Sequence, residues 1–247
     1  MHREDFERRV ERFIDSGAYS VIREDNVEDQ KRLWIFQAHK RPTLARWGAL
    51  IGECLFNFRS ALDHLAYDLA VAYTGTHYDL AVAYTGTLSA KQERESEFPI
   101  FHSRAPKKRE LDSRIGAVHP DARRLIEAMQ PYGRTDRAAL KYLDVLHNFD
   151  KHRTLHLVLG VSLGASYYGE TLDFVDFINF GSLKHGDALA QIPLRPEIED
   201  HGDPHFTFGV AFDKTGPGAK APDVPMTLRW IGGHIERGVI EPLLPYL

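Results

Sequence analysis

The sequence predicts an α+β fold: a helical bundle over about residues 40–153, preceded by a β-hairpin and followed by an antiparallel sheet capped by a helix. Three observations predict it. An apolar stripe at helical spacing runs from Leu44 to Leu69; after Thr154 the chain breaks into short runs of branched and aromatic residues separated by Gly, Pro and Asp; and helical spacing returns from Met226 to Leu244. The 247 residues are enough to bury a sizeable core without disulfides, and the reading is a single domain over 1–247, with the β-rich part at about 154–247.

The first element is a helix over residues 4–16, with Phe6, Val10 and Phe13 on one side and Ser16-Gly17 as its stop. Tyr19–Arg23 and Arg32–His39 read as the two strands of a hairpin. A long helix follows from about Thr43, with Trp47, Ile51, Leu55, Phe58, Leu62 and Leu65 on its stripe. The segment Tyr67–Thr76 recurs unchanged as Tyr78–Thr87, a tandem duplication spanning 67–87 that lengthens this helix or the loop after it. Eleven residues turn a helix within about 20° of three whole turns, so an added copy keeps the same face inward. After a loop containing Phe98-Pro99-Ile100-Phe101, helices are expected at about 120–130, with Pro120 in the first turn, and at about 136–152. Leu155–Leu159, Thr171–Phe180, Ala188–Leu194 and His205–Phe212 are expected as strands of a meander. Trp34, Trp47 and Trp230 fit core positions, while Phe174, Phe177, Phe180, Phe206 and Phe208 suit a sheet–helix interface.

Composition narrows the function classes. With 43% hydrophobic and 27% charged residues, disorder and a membrane bundle are disfavoured, and a single cysteine, Cys54, suits a reducing cytoplasm and excludes a Cys-based zinc site within one chain. The N-terminus lacks a signal-peptide core and nowhere do 18 apolar residues run together, so the expectation is a cytoplasmic protein with no membrane partner. The net charge of −4 is unevenly spread: residues 101–154 carry 12 basic and 7 acidic side chains, between acidic flanks. Such a patch suits phosphates, although a solvated helical face is the commoner cause. Phosphate-binding glycine loops are absent, and no cofactor is expected.

The chemistry-bearing residues gather in two places. On the long helix, Asn57, Arg59, Ser60, Asp63, His64 and Asp68 lie off the apolar stripe. Arg59 and Asp63 are one turn apart and can pair, as are Ser60 and His64. A guanidinium that holds charge and an imidazole that moves protons near neutral pH would border this polar face from opposite sides. The second cluster closes the helix at 136–152: Asp144, His147, Asn148, Asp150, Lys151, His152 and Arg153. Cations there complement the helix terminus, and Asp150 facing Arg59, or Asp63 facing Arg153, would make plain ion pairs between helices. A metal held by Asp63, His64, His147, Asp150 and His152 is disfavoured, because no Glu-x2-His pair occurs and Arg59, Lys151 and Arg153 would repel a cation.

The runs Leu55-Phe56-Asn57-Phe58-Arg59-Ser60-Ala61-Leu62-Asp63-His64-Leu65-Ala66 and Leu146-His147-Asn148-Phe149-Asp150-Lys151-His152-Arg153 resemble a group of uncharacterised bacterial, often actinobacterial, proteins. The Arg-x4-His element also resembles the HEPN superfamily of small helical bundles, which includes metal-independent RNases of toxin and antiviral systems. Arg114–His119 and Arg229–His234 share the spacing; only Arg59–His64 sits on the polar face of a strongly amphipathic helix. The resemblance implies a HEPN-like bundle in a homodimer acting on RNA, with Arg59 and His64 as the catalytic pair and Asn57, Ser60, Asp63, Asp150, Lys151, His152 and Arg153 binding or positioning. Many HEPN RNases carry Asn directly after the Arg, where this chain has Ser60. The alternative is a non-catalytic binding or assembly protein in which the Arg/Asp/His/Lys cluster is an interhelical network.

Overall fold

In a computed structural model the described residues are 2–41, 44–76, 88–89, 91, 95–132, 137–152, 157–166, 176–178, 183–194, 203–212 and 223–247. The first helix, α1 (His2–Phe13), buries Phe6 and Val10, as its spacing requires. A π-type turn (Ile14–Ala18) ends it at Gly17, whose φ of 70° is open to glycine at no steric cost. Phe6 and Phe13 meet Trp47 edge-on at 6.2 and 5.4 Å. Strands β1 (Tyr19–Asn26) and β2 (Lys31–Ala38) form the expected hairpin, in register from Tyr19 with Ala38 to Asn26 with Lys31. Asn26 closes its turn by accepting from the Asp29 amide at 3.0 Å.

The long helix, α2 (Leu44–Thr76), holds Trp47, Ile51, Leu55, Leu62, Leu65 and Leu69 buried. It contains the first copy of the duplicated segment; the second, at 78–87, lies outside the described residues. A helix that the sequence reading left as loop, α3 (Lys108–Ile115), follows, then α4 (Pro120–Ala128) and α5 (Ala138–His152). Helix α3 buries only Leu111 and Ile115 and starts with Glu110 accepting from the Lys107 amide, so its signal is a cap rather than a stripe.

The β-rich part is antiparallel as expected, but it is not a meander. β3 (Leu157–Ser166) pairs with β6 (His205–Phe212) in one sheet, while β4 (Asp176–Phe177) and β5 (Ala188–Pro193) join the hairpin in a second, ordered β1-β2-β5-β4. Leu155, His156, Phe174 and Phe180 lie outside the described residues. Phe206 and Phe208 pack against the Phe36, Leu183 and Leu189 cluster, so these rings join strand to strand rather than sheet to helix. The chain closes with α6 (Val224–His234), a π-type segment (Ile235–Ile240), α7 (Glu241–Leu243) and a 3₁₀ turn (Leu244–Tyr246). Leu228, Ile231, Ile235, Val239 and Leu243 carry its buried line. Trp230, expected in the core, is instead 43% exposed and meets Tyr142 edge-on at 5.5 Å.

Contacts group into two compact units. One comprises Met1–Ile51 and Thr154–Thr227; the other comprises Gly52–Arg153 and Leu228–Leu247 and holds both clusters of chemistry-bearing residues. Among the described residues, no helix is long and apolar enough to cross a membrane.

Candidate functional site

Arg59 lies on α2 with its side chain only 12% exposed, and two of its three nitrogens are committed. Nε donates to Asp63 Oδ2 at 3.1 Å and Nη2 lies 2.9 Å from Asp63 Oδ1, the one-turn pairing expected from sequence. Nη2 also lies 3.8 Å from Glu97 Oε1, which Arg114 Nη1 approaches to 2.6 Å, and the Arg114 guanidinium sits over the Phe101 ring. Asp63 Oδ1 further accepts from the Phe98 amide at 3.0 Å. At the other end of the same extended segment, buried Gln130 accepts from the Phe101 amide and donates to the Pro99 and Ile126 carbonyls. The segment carrying Pro99 is therefore held at both ends, and Arg59 and Asp63 are parts of the clamp. Glu97, Phe98, Arg114 and Gln130 carry no local motif; Glu97 and Phe98 reach α2 across more than thirty residues of chain, and Arg114 and Gln130 reach back to that extended segment.

His64 is exposed, as is Asn57, and Ser60 is half-buried. Five positions separate Arg59 from His64, which places them about 140° apart around the helix. Within one chain the two therefore bracket the polar face without converging on a common atom.

The second cluster is divided. Asp150 is half-buried and lies against α2 at Gly52: a Cβ at that glycine would stand 2.5 Å from Asp150 Oδ2. Asp150 makes no ion pair with Arg59, which is bound to Asp63 and Glu97 instead. Burial pushes the Asp150 carboxyl above its ordinary value. Lys151 is exposed; Arg153 and the side chain of His152 lie outside the described residues. His147, a member of the second cluster and of the disfavoured metal set, is buried, with its ring 6.4 Å from that of Phe56. Burial first, then the Lys151 and Arg59 charges, hold its pKa below the usual histidine range, against a smaller pull from Asp144. Both positions had a sequence signal. Gly52 interrupts an apolar helical stripe, where glycine costs about 1 kcal/mol unless a close approach needs it, and His147 and Asp150 continue the Leu140, Leu143 spacing of the buried side of α5.

Four of the arginines in residues 101–154 are ion-paired, three of them with carboxylates of the same segment, so most of the basic excess remains. Arg104 is paired with Glu110, Arg114 with Glu97, Arg123 with Asp112 and Glu127, and Arg124 with Asp121. The Arg104 fork and the Lys107 amide hold the Glu110 carboxyl down at about 2. Among the described residues, no group of three or more His, Cys, Asp or Glu side chains is placed to share a metal ion. No protein-family profile, curated protein or solved structure matches this chain.

Proposed function

We propose that the protein is a non-catalytic assembly protein, in which the Arg59 network is a structural brace and the outward face of α2 docks against a second copy of the chain. The observation that carries this reading is the commitment of Arg59. A guanidinium that stabilises a pentavalent phosphate presents its paired donors to the reacting group; here the Nε and Nη2 of Arg59 are given to Asp63 and Glu97. A phosphate entering there would displace a carboxylate that also holds the Phe98 amide. Phe56, Tyr67 and Val71 are all exposed on α2, with half-buried Ser60 on the same side between them. Crossing two copies antiparallel near Ser60 sets Phe56 of each toward Tyr67 of the other over that small residue, the self-complementarity an isologous interface needs. Sedimentation of the wild type and of Phe56→Glu tests this: the wild type is a dimer and the variant a folded monomer, whereas a wild type that stays monomeric at about 100 μM overturns the reading.

One observation favours a second reading, a HEPN-like metal-independent endoribonuclease with RNA as its partner. His64 lies exposed on that same outward face, where a two-fold would bring two copies of it close together. In that reading His64 moves the proton at the ribose 2′-hydroxyl, and Arg59 would have to leave Asp63. RNA cleavage in EDTA that disappears in a folded His64→Ala variant would establish it; no cleavage by the wild-type dimer, or equal cleavage by both, removes it.

A further inference from the structure

The seam between α2 and α5 sets Gly52 opposite Asp150 and Phe56 opposite His147, as antiparallel helices require. His147 is 4% exposed, and its Nε2 is buried with no hydrogen-bond partner among the described residues. An orphaned buried nitrogen carries its full desolvation penalty, so the inward ring is held there by packing alone. The charged groups around it are Arg59 from α2 and Asp144 and Lys151 from α5. Asp150 lies one turn further along α5, and His102 Nε2 binds Asp144 Oδ2 at 3.1 Å. Asp150 has no ion-pair partner among the described residues; its carboxyl occupies the space that Gly52 leaves open. Inside the seam the Nε2 of a neutral imidazole thus has no partner among the described residues. An imidazolium turned outward has two, because Asp144 and Asp150 stand three residues before and three after it, both at pairing distance on a helix.

We propose that His147 is a proton-driven latch: neutral, its ring stays against α2, and protonated, it swings out to Asp144 and Asp150 and frees the last turns of α5 from Gly52 and Phe56. The two arrangements are discrete, since a helix side chain moves between staggered rotamers rather than through a continuum. The direction is fixed by the charges already present. Arg59 and Lys151 repel a buried imidazolium, and burial disfavours it, so the inward state survives only while the ring is neutral. Asp150, drawn onto an outward imidazolium, leaves the carboxylate-sized gap beside Gly52, so releasing one group loosens the contact made by the other.

Amide hydrogen exchange on the full-length chain, together with ring NMR of His147, tests the latch between about pH 7.5 and pH 5. The expected result is a His147 midpoint below about 6.5, accompanied by a loss of at least about tenfold in protection over residues 146–152, with α4 unchanged. In His147→Phe, which fills the same space without a titrating nitrogen, that loss is absent. Flat protection down to about pH 5 in the wild type, or the same loss in the variant, overturns the latch. Should the variant not fold, the wild-type profile still decides: protection must fall with the His147 midpoint, and a fall that follows only the carboxylate range overturns it.

Discussion

Around Arg59, the paired charges are answered: Asp63 binds two donors of the guanidinium and the Phe98 amide, and Glu97 is shared with Arg114. Two turns earlier on the same helix, at Gly52 and Phe56, the facing groups are, among the described residues, a carboxyl with no ion pair and an imidazole nitrogen with no hydrogen bond. Both regions are polar and part-buried, and composition alone does not tell them apart. The difference teaches that buried polarity is of two kinds. A satisfied network holds one arrangement, and an unsatisfied one leaves a second arrangement within reach.

The comparison can be broken most forcefully at Gly52. Alanine in a helix interior normally stabilises by up to about 1 kcal/mol, but here its Cβ would overlap Asp150, and Gly52→Ala is expected to destabilise by about 3 kcal/mol in urea unfolding. Adding Asp150→Ala should restore most of the loss; a Gly52→Ala protein as stable as wild type would mean the close approach is not made. Arg59→Ala comes next, at about 2 kcal/mol, because it leaves Asp63 without its cation and Glu97 with Arg114 alone. A double-mutant cycle with Asp63→Ala should show strong coupling, and additive losses would mean that the brace is not a unit.

Smaller effects sharpen the contrast. Asp150→Asn removes a carboxylate whose ionisation burial disfavours, so at neutral pH it should stabilise by less than about 1 kcal/mol. The signs at the seam oppose each other. His147, with its folded pKa depressed, binds its proton later than the unfolded chain does, so stability is lost as pH falls through about 6.5. Asp150, with its folded pKa raised, binds its proton earlier, so its contribution rises as pH falls toward the carboxylate range. A stability curve with a shallow loss near pH 6 in the wild type, flat in His147→Phe, separates the two. The least effect is expected from deleting residues 77–87, which removes one copy of the duplication at an almost whole number of helical turns; thermal unfolding should shift by no more than a few tenths of a kcal/mol.

Much of the framework was legible because it rests on period. The stripe of α2, the hairpin and the closing helix each follow from spacing that a helix or strand imposes on buried residues. Helix α3 was not, since KRELDSRI offers two apolar positions and begins at a cap. The division of strands between two sheets was not either: β2 pairs with β5 across some 150 residues, and pattern carries no information about which partner lies beyond a long connection. Trp230 misled because it follows core spacing while its ring faces outward against Tyr142. At the candidate site, the pairing of Arg59 with Asp63 was readable as a one-turn interval. The commitment of the same guanidinium toward Glu97, and the burial of His147, depend on which segments pack beside α2, and no local motif encodes that.

Cys54 offers a consequence of a different kind. It is the chain's single thiol, it is buried on α2, and it lies between Gly52 and Phe56. A buried thiol reacts with an alkylating reagent only when the structure around it opens. On a helix it points away from Gly52 and Phe56, so the protein carries a native clock on the opposite side of α2, and without an introduced label its modification rate counts how often that side is uncovered.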